Sequence, residues 1–154
     1  MHRHFLLLSL VCAAACDYGG GTAASGVYPN YFLSSVDGKA LPVPSGSDGS
    51  ELLAGSLDFG GLTRPRGSGP VSGVVSYRLS VRHPDHSITN SNVQLNYSIE
   101  NDTLRINLCP SLALCIVSEE LVGPLSDSHS ELVLTHYLGG NPGMVYRYFP
   151  ALPD

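Results

Sequence analysis

A two-residue alternation of apolar and polar side chains constrains this chain more than any other feature. Val75, Tyr77, Leu79 and Val81 interleave with Ser76, Arg78, Ser80 and Arg82. Val93, Leu95, Tyr97 and Ile99 interleave in the same way with Gln94, Asn96, Ser98 and Glu100, and Leu104, Ile106 and Leu108 with Arg105 and Asn107. Successive side chains of a strand point to opposite faces, so each run has one dry face and one wet face. A helix, with about 3.6 residues per turn, would spread the same residues around its circumference. Asn101-Asp102 lies between the second and third runs. Both residue types tolerate positive φ, so a two-residue hairpin turn is expected there. The pattern is that of antiparallel strands laid over a core.

The flanks extend the pattern. Tyr31–Val36 reads as a first strand closed by Asp37-Gly38, and Leu52–Phe59 as a second stopped by Gly60-Gly61. Cys115–Val122 reads as a sixth, cut short or bulged at Gly123-Pro124. Leu132–Leu138 and Met144–Phe149 form a last hairpin around the loop Gly139–Gly143. The 17 glycines, 11 prolines and absence of tryptophan suit a turn-rich all-β domain. Sequential strands with short links favour an antiparallel up-and-down barrel of about eight strands, because closure removes exposed edges. A two-sheet β-sandwich is the runner-up. At 154 residues the chain suits one domain, here assigned to residues 27–150 with 151–154 as a C-terminal tail.

The N-terminus reads differently. Met1–His4 is a polar start, Phe5–Val11 an apolar run, and Ala13-Ala14-Ala15 supplies the small residues a signal peptidase needs. The run is too short to span a bilayer, which takes about 20 apolar residues. Ala13-Ala14-Ala15-Cys16 resembles a bacterial lipobox, although the first of these positions is more often Leu. The resemblance implies that residues 1–15 are a lipoprotein signal peptide, that cleavage falls before Cys16, and that Cys16 carries diacylglycerol with its new amine acylated. The implied partner is then a membrane of the bacterial cell envelope, inner or outer. Each buried methylene contributes about 0.8 kcal/mol, so two or three acyl chains anchor firmly. Residues 16–26 are rich in Gly and Ala without apolar periodicity and read as a flexible tether.

The run Tyr31-Phe-Leu-Ser-Ser-Val-Asp-Gly-Lys-Ala-Leu-Pro42 resembles the opening of small bacterial lipoproteins with a lipocalin-like barrel, and Val145-Tyr-Arg-Tyr-Phe149 resembles their last strand. That likeness implies a fold more than a task, since one fold hosts many functions.

Few constellations carry chemistry. If Cys12 leaves with the signal and Cys16 is acylated, Cys109 and Cys115 are the two thiols left in an oxidising compartment, and a structural disulfide is expected. In the chain-entropy account it would stabilise by roughly 2 kcal/mol. His83-Pro84-Asp85-His86 reads as a solvated loop, because a zinc site needs three or four convergent ligands. No metal or other cofactor is expected. No serine sits in a nucleophile elbow, and Glu119-Glu120 point to opposite faces of a strand, so no catalytic role is assigned. The Lys and Arg residues, 8 in all within a net charge of −5, are scattered, which argues against nucleic-acid binding. The tyrosines remain. Tyr77, Tyr97, Tyr146 and Tyr148, with Phe59, are candidates to line a barrel mouth and orient a small apolar ligand. An eight-stranded barrel is otherwise just wide enough to be filled by its own side chains. Two expectations therefore stand: a lipocalin-like binding module, or a filled barrel serving as a structural or protein-interaction lipoprotein.

Overall fold

The computed structural model describes residues 28–60, 70–110, 115–125 and 130–151, and among them there are strands, turns and loops but no helix. In chain order the strands are β1 (Asn30–Val36), β2 (Lys39–Ala40), β3 (Val43–Pro44), β4 (Glu51–Asp58), β5 (Val71–Arg82), β6 (Ile88–Glu100), β7 (Thr103–Asn107), β8 (Glu119–Pro124), β9 (Leu132–Leu138) and β10 (Asn141–Pro150). Local backbone chemistry sets the tight connections. Asn101 and Asp102 both have positive φ, 49° and 56°, and turn β6 directly into β7. Asp37-Gly38 and Gly139-Gly140 do the same for β1–β2 and β9–β10. Left-handed conformation at both central residues matches the right-handed twist of the flanking strands.

The sheet closes on itself. β1, β10, β9, β8, β7, β6, β5 and β4 follow one another as antiparallel neighbours, and β1 then pairs with β4 through Asn30↔Asp58, Tyr31↔Leu57 and Phe32↔Ser56. The result is an eight-stranded antiparallel barrel, with β2 and β3 as short additions. Closure excludes the β-sandwich.

Tyr31, Leu57, Val75, Leu95, Leu104, Ile106, Leu121, Leu132, Leu134 and Tyr148 lie inside with 1% exposure or less. Three bulges re-aim the strands. The register of β1 against β10 shifts between Leu33 and Ser35, so Leu33 and Val36 are both buried although they differ in parity. A shift between Leu52 and Ala54 does the same in β4 for Leu52 and Leu57. An extra residue flips the face that the following side chains occupy.

β5 and β6 begin ahead of their alternating runs, at Val71 and Ile88, and two further strands differ from the sequence expectation. The sixth barrel strand is not Cys115–Val122 but Glu119–Pro124, and it runs through Gly123 rather than stopping there. The apolar pair Ile116-Val117 suggested strand, yet both are exposed in the loop. Gly123 is in the strand because β8 and β9 approach closely: a Cβ there would overlap the Val133 carbonyl oxygen. The last strand begins at Asn141 instead of Met144, since the turn needs only Gly139-Gly140. Pro142 is accommodated by a bulge between Pro142 and Val145.

Candidate functional site

The two ends of the barrel are built differently. At the end where β1 begins, four rings stack edge to face: Tyr28 on Tyr31 at 6.1 Å, Tyr31 on Phe59 at 6.2 Å, and Phe59 on Tyr97 at 5.3 Å between centroids. The Tyr97 ring covers Gly73, its cross-strand partner, where a Cβ would sit 2.6 Å from the phenol oxygen. Glycine in β5 thus makes room for an aromatic on β6. These rings plug the bottom of the barrel.

At the other end β6 and β7 part company. Their pairing stops at Tyr97↔Ile106, and β7 continues with β8 alone, as Leu108 N–H donates to the Glu119 carbonyl at 2.9 Å. The split leaves an apolar cleft of about 240 Å3 between Tyr77, Leu79, Val93, Leu95 and Leu108, with Glu119 at its edge. A neighbouring hollow of about 230 Å3 shares Leu108 and Glu119 and reaches the disulfide. Cys109 and Cys115 are joined, with Cα atoms 5.9 Å apart, and so close the β7–β8 loop as expected.

Beside Tyr77 lie the phenols of Tyr146 and Tyr148. Burial pushes all three hydroxyls above the ordinary tyrosine range; the Tyr146 phenol adds to the rise at Tyr77, and both neighbouring phenols add to it at Tyr148. The Tyr148 hydroxyl is fully buried and has no well-formed hydrogen bond. Of the four candidate tyrosines, the fold therefore groups Tyr77, Tyr146 and Tyr148 near the mouth and places Tyr97 in the plug at the far end. Of the four, Tyr77 borders the apolar cleft.

A polar cluster that the sequence did not suggest lies above this mouth. Ser50 is 3% exposed; its hydroxyl donates to Asp48 Oδ2 at 2.9 Å and lies 3.3 Å from His83 Nδ1. His83 Nε2 is 2.9 Å from Thr89 Oγ1. The Ser50 backbone N–H and hydroxyl hold the Asp48 carboxyl below its usual range. Serine, histidine and aspartate are the residue types of a nucleophilic triad, but they are wired in the wrong order. A triad places the imidazole between the hydroxyl and the carboxylate, whereas here the hydroxyl is in the middle and donates its hydrogen bond to the carboxylate. The cluster ties the β3–β4 loop to the β5–β6 hairpin. His83 turns to Ser50 and Thr89 rather than to His86, and among the described residues no group of His, Cys, Asp and Glu is arranged to hold a metal.

The rim of the same end is apolar. Ile116 is fully exposed, and Val117 and Leu138 are about half exposed. Gly139 N–H donates to the Ser118 carbonyl at 2.8 Å, which holds the disulfide loop against the β9–β10 turn. On the outer wall the described arginines are matched: Arg78 with Asp58, Arg82 with Glu51, Arg105 with Glu120 and Arg147 with Glu131. Cys16 and the expected signal segment and tether lie outside the described residues. No helix among the described residues is long and apolar enough to cross a membrane. No family model, curated protein or solved structure matches this chain.

Proposed function

We propose that the protein is a non-catalytic, lipid-anchored envelope lipoprotein whose filled barrel is a scaffold for protein interaction. The packed interior carries this reading. Ten side chains with 1% exposure or less occupy the space a lipocalin-type ligand would need, so binding falls to the surface. Ile116, Val117 and Leu138 supply an apolar rim at the end opposite residue 28, where the tether joins. An anchor at one end and an exposed apolar rim at the other suit a module that presents itself away from the membrane.

A second reading is favoured by one observation: the apolar cleft bordered by Tyr77, whose phenol adjoins the buried Tyr148 hydroxyl. A small apolar molecule with one hydrogen-bonding oxygen would suit that place. At about 240 Å3, however, the cleft is below the usual size of small-molecule sites, about 300 Å3 and upward.

Native mass spectrometry of the chain purified from its own host separates the two. A mass equal to that of the processed polypeptide with its acyl groups is expected. A further co-purifying small molecule, retained in wild type and lost in Leu95→Phe, would overturn the scaffold reading. For the anchor, Cys16→Ala should move the protein from the membrane to the soluble envelope fraction; unchanged partition would refute it.

A further inference from the structure

β6 is the longest strand of the sheet, with 13 residues, and most of one side of it pairs with no strand among the described residues. It pairs with β5 in an unbroken register from Ile88↔Arg82 to Ile99↔Val71, while β7 meets only Tyr97–Glu100. In an antiparallel strand the backbone N–H and C=O groups point alternately to the two sides. Over Ile88–Asn96, those directed away from β5 meet no strand among the described residues. Exposed edges are normally blunted by charge, proline or a bulge. The segment Ile88-Thr-Asn-Ser-Asn-Val-Gln-Leu-Asn96 has no charge and no proline, and its register on β5 has no irregularity. Among the described residues it is a straight, neutral edge that no strand covers, with Leu108 and Pro110 facing it across the cleft.

We infer that the protein pairs with a second copy of itself through β6, the two strands antiparallel about a twofold axis at Asn92. An uncharged edge meets its own copy without like-charge repulsion. Asn92 is the midpoint of the open segment, so an axis there uses all of it. The outer face gives a second, independent observation. Val74 and Ile88 are aliphatic side chains 52% and 56% exposed on that face, and Val74 is the β5 partner of Asn96. With the axis at Asn92, position 88 of one copy lies opposite position 96 of the other. Ile88 then enters the cross-strand row that holds the second copy's Val74, on the same face, with only the slender Asn96 between them. The symmetry produces the same row twice, as an isologous contact requires.

This gives the protein-interaction reading a first partner and rests on it to that extent. A bound small molecule would overturn the filled barrel without touching the oligomeric state, so the two fail separately. The test is sedimentation velocity of the full chain in mild detergent over a concentration series, where a dimer is expected. Positions 90 and 94 face each other across the proposed axis. Asn90→Lys with Gln94→Lys sets like charges opposite and should yield monomer; Asn90→Lys with Gln94→Glu sets opposite charges together and should keep the dimer. Both sites are exposed, and both variants lose the same two exposed hydrogen bonds, Ser80 to Asn90 and Gln94 to Ser76, so the two should melt alike and close to the parent. Asn92→Cys should form an intermolecular disulfide under mild oxidation, above the background of the unsubstituted chain, and Arg78→Cys, one strand inward, should not. A monomer at every concentration would overturn the inference and leave the edge to an extended segment of another protein. Identical behaviour of the two charge pairs, or equal cross-linking at 78 and 92, would overturn the β6 pairing.

Discussion

Single atoms decide much at two positions. Tyr148 holds a hydroxyl in the barrel interior without a proper partner. Leaving a buried hydroxyl unsatisfied costs about 1–3 kcal/mol. Tyr148→Phe should therefore stabilise the domain by about 1 kcal/mol, or about 4 °C in melting temperature at this size. The same residue sets a pH dependence. Folded-state values raised above the ordinary tyrosine range mean that the native state keeps protons the unfolded chain has lost. The contribution of Tyr77 and Tyr148 should be level below about pH 10, then fall as the pH climbs toward their folded values. Urea unfolding at rising pH should show a shallower fall for Tyr148→Phe than for the parent; equal slopes would mean Tyr148 ionises without resistance. Gly123 is the opposite case, where one added carbon is intolerable. Its Cβ would meet backbone, the Val133 carbonyl, which has no rotamer by which to yield. Gly123→Ala should cost about 3 kcal/mol, read as a drop in the urea midpoint; a shift within error would show that β8 and β9 can separate freely.

At the scale of the element, alternation was legible wherever a strand kept one parity along its length. Leu104 and Ile106 are buried while Arg105 and Asn107 are exposed, as the two-residue period predicts. Ile106→Asp should place an unpaired carboxylate in the core at a cost of several kcal/mol, enough to unfold the domain. Asn107→Asp should leave the melting temperature nearly unchanged; similar melting of the two variants would contradict the inward placement of Ile106. Where a bulge flips the parity, as between Leu33 and Val36 or Leu52 and Leu57, the period in the sequence is broken and the strand reads as irregular. β8 misled for another reason. Its glycine answers a backbone approach from β9, far along the chain, and no local pattern records that. The mouth was legible in part. Tyr77 announced itself by alternation, but its grouping with Tyr146 and Tyr148 depends on closure. The Asp48–Ser50–His83–Thr89 cluster joins segments whose meeting depends on the β4–β5 register. The disulfide was legible because spacing and a shared hairpin are local facts.

At the scale of the whole molecule, β10 holds the ring together, since it lies between β1 and β9 and carries the fully buried Tyr148. A chain ending at Gly140 should lose its cooperative melt and its near-ultraviolet dichroism; a sharp transition in that truncation would mean the remaining strands make a core without closure. The seam also bears on manufacture. Within the barrel ring β1 has two neighbours of very different age: β4, made soon after it, and β10, the last of the described strands to be made. A polypeptide emerging amino end first can zip β1 to β4 early, but Tyr31 and Leu33 keep a bare flank until the final strand arrives. An unfinished or prematurely terminated molecule is thus marked by an open, sticky seam that a complete one conceals.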